Sequence, residues 1–328
     1  MNHFRKARRV AAALVTLAGM LSFAGGAHAQ QGQPPVNLLV GFPAGGNVDS
    51  VARHLATGMQ NALGRSVVVD NRPGAGGQIA MQLLARSAHD GRTLMLSNEH
   101  AVSIIPMTVR NVGYDPLKDF VPVATVTTLP LALAVHPSVK ANNIQELVAW
   151  AKARNEPLNV GIPAPASQPD FAVGLLAKRF DIKAAAVPYR GGAPMVADLM
   201  GGHVLAGLTG ISEFLPHQKA GAVRIIAVSG PERLARLPSV PTFSEGGLPG
   251  FEERTFMGVF APAGTPPEVI TRYREAIRSV VATPAYRQAL DELGLQAFYG
   301  DGTDLEGRVR HTTQTWGQVI RDSGFVSK

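Results

Sequence analysis

The chain has 328 residues, 45% of them hydrophobic and 17% charged, enough for two packed cores and too apolar for disorder. It has no cysteine, which excludes a disulfide scaffold and a thiolate metal site. Aromatics are only 6%, too thin for a surface that stacks nucleic-acid bases, and the one unusual figure is a formal charge of +7.

That charge comes from the start of the chain. Arg5, Lys6, Arg8 and Arg9 precede an apolar run from Val10 to Phe23, and Ala27-His28-Ala29 follows it. This is the order of a secretory signal peptide, residues 1–29, cleaved after Ala29. The run is too short to span a bilayer, and no other segment approaches about twenty apolar residues. Removing those four cations and no acid lowers the balance from +7 to about +3, which suggests neither DNA nor an acidic membrane as partner. The mature chain is expected in the bacterial periplasm or outside the cell, as a monomer, without cofactor or metal.

From there the sequence alternates short apolar runs with amphipathic stretches. Val36 to Val40 reads as a buried strand and Gly41 to Gly46 as a loop. A helix runs from Asn47 with Val51, Leu55, Met59 and Ala62 on one face, ending at Gly64. Ser66 to Asp70 is the next strand, followed by a helix carrying Ile79, Leu83 and Leu84, and Arg92 to Ser97 is a third strand. The pattern resumes with a helix over Ile144 to Arg154 and a strand over Leu158 to Ile162. Ser167, with Asp170 three residues on, starts the next helix as a capping-box variant. Ala184 to Pro188 is a strand, and Pro194 suits the first turn of a short helix to Met200. Val204 to Leu208 and Val223 to Ser229 are further strands, and three helices starting near Pro266, Thr283 and Thr303 finish the chain.

Alternation of this kind predicts parallel sheets covered by helices on both faces, divided between two α/β domains. The continuous apolar runs Val121 to Val135 and Phe256 to Ala261 read either as strands within one sheet or as crossings between lobes. The second reading makes the first lobe discontinuous, 30–126 plus 255–328, around a second lobe at 127–254. A cleft between two such lobes is a natural ligand site.

Three glycine loops lead from strands into helices: Phe42 to Asp49, Pro73 to Gly77, and Tyr189 to Pro194. A helix N-terminus presents unpaired N–H groups and partial positive charge, and glycine lets an anion approach the backbone. One such loop alone reads as a turn; three at strand ends suggest a cradle for a carboxylate. Enzyme signals are absent. Gly74 to Ile79 starts like a dinucleotide fingerprint but ends in Ile79, and no Walker loop, G-x-S-x-G elbow or H-E-x-x-H pair occurs. His54 sits on a polar helix face, and His136, His203 and His217 are scattered.

At these loops the sequence resembles the tripartite tricarboxylate transporter substrate-binding proteins, the Bug or TctC-type periplasmic solute receptors. The matching stretches are VGFPAGGNVD (Val40 to Asp49), VVDNRPGAGG (Val68 to Gly77), GYDPLKDFVPVA (Gly113 to Ala124) and LAVHPSVKANNIQELVAWAK (Leu133 to Lys152). VPYRGGAPMVADLMGGHV (Val187 to Val204), RLPSVPTFSEGGLPGFE (Arg236 to Glu252) and FAPAGTPPEVI (Phe260 to Ile270) follow in family order. The resemblance implies two doubly wound α/β lobes closing on a ligand in the Venus-flytrap manner, and a receptor rather than an enzyme. The implied role is capture of a small organic acid or amino-acid-like ligand for a tripartite tricarboxylate-type membrane transporter. A sensor docking on a two-component kinase and, behind it, a secreted α/β hydrolase are the alternatives.

Carried onto this sequence, the resemblance places ligand contacts at Phe42, Ala44, Gly45, Gly46, Asp49, Gly76 and Gly77 in the first lobe. Ser97, Asn98 and Glu99 end the third strand there, with His100 beside them. Second-lobe candidates are Ala164, Ser167, Arg190, Gly191, Gly192 and Ala193. Several have a plainer reading: Asp49 as a brace for its loop, Ser167 as a helix cap, Arg190 as a solvated cation. Glu99 is awkward, since a carboxylate repels an anionic ligand. It is expected to turn outward, pair with His100 or Arg190, or meet a ligand amine; the last predicts a ligand with one carboxylate and a neutral or amino-bearing end. A side chain at Gly46 is expected to block the ligand's approach.

Overall fold

A computed structural model describes residues 34–154, 156–322 and 325; the expected signal peptide lies outside them. β1 (Val36–Val40) leads through the first glycine loop into α1 (Asn47–Leu63), which buries Val51, Leu55 and Met59 and ends on the left-handed Gly64. β2 (Val67–Asn71), α2 (Gln78–Ala85) and β3 (Thr93–Asn98) complete the first βαβαβ run, with β2 and β3 both parallel to β1. After β3 the chain makes a π turn, His100–Ile104, and a short helix α3 (Ile105–Thr108).

The run from Val121 to Val135 divides at one residue. β4 (Phe120–Leu129) belongs to the first sheet and β5 (Leu131–Val135) to the second, with Pro130 between them. Proline has no N–H for a ladder, so the chain changes sheets where it cannot pair. Leu131 is held on both sides of its peptide by Ser229: its N–H donates to Ser229 Oγ and its carbonyl accepts from Ser229 N–H, both at 2.8 Å. Leu129 carbonyl accepts from Thr255 Oγ1 at 2.9 Å.

The second sheet is built from α4 (Ile144–Lys152), β6 (Leu158–Ile162), α5 (Gln168–Phe180), β7 (Ala184–Pro188), α6 (Gly192–Met200) and β8 (Ala206–Gly210). A 3₁₀ turn, Ile211–Glu213, follows, then α7 (Leu215–Lys219) and β9 (Arg224–Val228). β10 (Thr255–Pro262) returns to the first sheet, followed by α8 (Pro267–Ala282), α9 (Pro284–Glu292), β11 (Gln296–Gly300) and α10 (Gly302–Asp322). The strand orders are β11-β4-β10-β3-β1-β2 and β7-β6-β8-β5-β9. Helices cover the first sheet on both faces: α1 and α8 on one, with Leu55 and Ile277 in the core, and α2 and α10 on the other, with Met81 and Leu305. α10 then continues into the second core, where Trp316 and Ile320 lie.

Three expectations need correction. The sheets are mixed, not parallel: β10 runs antiparallel to β3 and β4, β11 to β4, and β5 to both β8 and β9. Strands that change sheets or return from the far end of the chain have no crossover helix to turn them parallel. The helix α2 buries Ala80, Met81 and Leu84 and leaves Ile79 51% and Leu83 41% exposed. The helix is apolar nearly all round, with only Gln78 and Gln82 polar, so its sequence marks the outer face weakly. The strand read at Val204 to Leu208 lies two residues later, because His203 N–H donates to Asp198 carbonyl and prolongs the end of α6.

Candidate ligand-binding cleft

The first wall is made by two loops in backbone contact. A Cβ on Gly41 would fall 2.6 Å from Gly77 Cα, so neither position has room for a side chain. Gly76 and Gly77 have φ of 66° and 103°, and Ala75 between them and the strand has φ 46°. Non-glycine residues rarely hold such values, and those that do collect at functional sites. Asp49 is 2% exposed and braces the other loop. Its Oδ2 accepts from Gly45 N–H and Arg53 Nε, both at 2.9 Å, and its Oδ1 from Asn71 Nδ2 at 3.0 Å. Asn71 Nδ2 also donates to Phe42 carbonyl at 3.1 Å. Burial works to raise the Asp49 pKa, but the bonds from Arg53, Gly45 and Asn71 outweigh it and hold the group below the usual carboxylate value. Asp49 is therefore spent on the loop.

The second wall begins at the end of β6. Ala166 has φ 50° and donates its N–H to Asp170 Oδ2 at 2.7 Å. Ser167 stands at the N-cap position of α5, yet its hydroxyl makes no cap bond and donates instead to Ala164 carbonyl at 2.6 Å. The capping-box expectation thus fails in its bonds, because Asp170 turns back to Ala166. Ser97 Oγ donates to Asn98 carbonyl at 3.3 Å. Neither serine is paired with His100, so no nucleophile stands against a base here.

Between the walls lies a cleft of about 120 Å³. Of the expected residues, Phe42, Asn98, Glu99, Ala164, Ser167, Gly191 and Gly192 line it. Ala44, Gly45, Arg190 and Ala193 are exposed and do not line it; nor do the half-buried Gly46 and Gly76 or the buried Asp49, Gly77 and Ser97. A Cβ on Gly46 would meet only Pro43 carbonyl, at 3.5 Å, so the fold has room for a side chain there. At Gly76 there is no such room, since a Cβ would sit 2.7 Å from His100 Nε2.

Glu99 follows none of the three courses expected of it. It is 6% exposed and its Oε2 accepts from Phe256 N–H at 2.9 Å. With the Gln168 amide turned so that both its ends are paired, that side chain donates to Glu99 Oε1 at 3.0 Å and accepts from Trp316 Nε1 at 2.7 Å. Burial, opposed by the Phe256 bond, pushes the Glu99 pKa up to about 7. Both oxygens are committed to protein donors, which removes the reason to expect a ligand amine at this residue.

The lining includes residues that the sequence reading passed over. His100 is 8% exposed, its Nδ1 is buried without a partner, and burial lowers its pKa to about 4, so it is neutral near pH 7. Asn47, Gln168, Thr209 and Glu213 also line the cleft. Glu213 had no local signal, since it ends a 3₁₀ turn that contains no glycine. No Lys or Arg lines the cleft. A larger cavity of about 290 Å³ lies across Glu99 and Gln168, lined by Arg254, His311 and Trp316 among others. None of the three glycine loops reaches it, so the smaller cleft is the candidate site.

A family model described as "Tripartite tricarboxylate transporter family receptor" matches residues 51–325. The chain belongs to this family. It is a family of solute receptors, not enzymes, and the chain is a Bug or TctC-type member of it. Protein BugT of Bordetella pertussis is 34% identical over 295 residues, covering 90% of each chain. A structure of the periplasmic binding protein BugD superposes with a TM-score of 0.83 at 30% identity, covering 90% of this chain and 99% of that one. An R. palustris protein solved with adipate gives a TM-score of 0.84 at 30% identity, covering 89% and 98%. The expected two-lobed periplasmic-binding-protein fold is thus borne out, with mixed sheets. Among the described residues no helix is long and apolar enough to cross a membrane.

Proposed function

We propose that the protein is exported to the periplasm by its N-terminal signal peptide, captures a small carboxylate-containing ligand there, and delivers it to a tripartite tricarboxylate-type membrane transporter. The ligand is held between a first lobe, which the chain leaves at Pro130 and re-enters at Thr255, a few residues beyond the expected boundary at 126/127, and a second lobe formed by the residues between, and closure couples binding to docking. The observation that carries this reading is the cleft itself: the N-terminal ends of α1, α5 and α6 converge on it from both sheets, as anion-binding geometry requires. Adipate in the R. palustris relative supports the ligand class. Calorimetry of the exported, purified protein against mono-, di- and tricarboxylates and amino acids tests it. Binding of one class at micromolar or tighter affinity is expected; no binding across the panel would sink the receptor reading.

A further inference from the structure

We propose that Glu213 sets the charge class of the ligand: the cleft takes a molecule with no more than one carboxylate, whose other end gives an ammonium or amide hydrogen to Glu213. This rests on the cleft being the ligand site, as proposed above. Glu213 comes from the second sheet's side, at the end of the turn after β8; burial works to raise its pKa, and the backbone N–H of Asn47 in the first turn of α1 opposes this and favours the carboxylate. It also lies against the start of α6, where a Cβ on Gly192 would fall 2.6 Å from its Cδ and 2.7 Å from Oε1. The two helix N-termini best placed to hold an incoming carboxylate thus already face a resident one.

No cationic side chain among the described lining residues adds to the helix N-termini to offset a second negative charge. Among the described lining residues there is no Lys or Arg, the other acid is Glu99, which burial holds protonated up to about pH 7, and His100 is neutral. A dianion entering here meets acids without cations, whereas an ammonium or amide finds an acceptor in Glu213.

Matched pairs of probes decide it: succinate against γ-aminobutyrate, and adipate against ε-aminocaproate, which exchange a carboxylate for an ammonium at similar length. Calorimetry with the protein exported from the full chain should show the amino acid of at least one pair binding about tenfold or more tighter than its diacid. Glu213→Gln should cancel or reverse that preference, and Glu213→Asp, which keeps the charge, should retain it; thermal melts establish that each variant is folded. The wild-type ratio carries the test even if a variant does not fold. A diacid preferred by the wild type, or a ratio unmoved by Glu213→Gln, overturns the proposal and leaves the receptor reading standing. Failure of every carboxylate and amino acid to bind overturns both.

Discussion

The two walls of the cleft are written with similar glycine loops and built in different ways. In the first wall the glycines serve the protein: Gly41 and Gly77 let two loops touch backbone to backbone, and Asp49 ties Gly45, Arg53 and Asn71 together behind them. In the second wall the glycine serves a neighbour, since the space at Gly192 is filled by Glu213. The same composition therefore marks a rigid platform in one place and room for a charged side chain in the other. Glycine in a loop indicates a close approach, but not what approaches.

The sharpest way to break the first wall is Gly41→Ala. Its Cβ would meet backbone, which cannot move aside as a side-chain tip can, and a loss of about 3 kcal/mol in denaturant unfolding is expected. Gly46→Ala in the same loop should be close to neutral, because its nearest neighbour stays at van der Waals distance. Equal effects at the two positions would contradict the packing described for this wall.

Glu99 joins the walls, and its test is a pH series. The unfolded chain loses this proton near 4.5, whereas the folded protein keeps it to about 7. The folded state therefore binds more protons between those values, and the Glu99 contribution to stability falls as pH rises through that window. The scale is on the order of 3 kcal/mol. Buried His100 titrates in the opposite sense, since its folded pKa is lowered, so the difference between wild type and Glu99→Gln isolates the glutamate. Melting temperatures of the two should diverge in favour of the variant as pH rises; parallel curves would mean that Glu99 is ionised throughout.

A paired substitution sharpens the contrast at smaller scale. Asp49→Ala removes three hydrogen bonds from the first wall and should cost about 2 kcal/mol. Ser167→Ala removes one from the second and should cost about 1 kcal/mol. Asp49, held below the ordinary carboxylate value, contributes fully above its unfolded pKa near 3.8 and loses that contribution as pH falls through its folded one. The gap between wild type and Asp49→Ala should therefore close in acid, as urea titrations at several pH values would show.

Much of the fold was legible because strands and helices alternate and most boundaries are marked by glycine or proline. Strand polarity was not legible, since β10 and β4 are as apolar as the parallel strands and nothing local records which neighbour each will meet. The face of α2 was misread because only Gln78 and Gln82 are polar in this helix, so its outer stripe is weakly marked. At the site, the loops were visible in the residues, but the purpose of each polar group depends on partners far along the chain. Glu99 finds Phe256 and Gln168, and Glu213 finds Asn47, across separations that no motif spans.

The place of β10 governs how the chain can be assembled in time. It lies between β3 and β4 in the first sheet, although more than a hundred residues of sequence separate it from either. Until the chain has been made through Pro262, β3 and β4 have no shared neighbour and the first sheet stays in two pieces. The second sheet, contained between Leu131 and Val228, has all its strands before β10 is made. A partly synthesised chain thus holds one completable half and one that must wait, and contacts of such long sequence separation form slowly. The half that waits includes every described residue up to the end of β4, the part of the fold that is synthesised first.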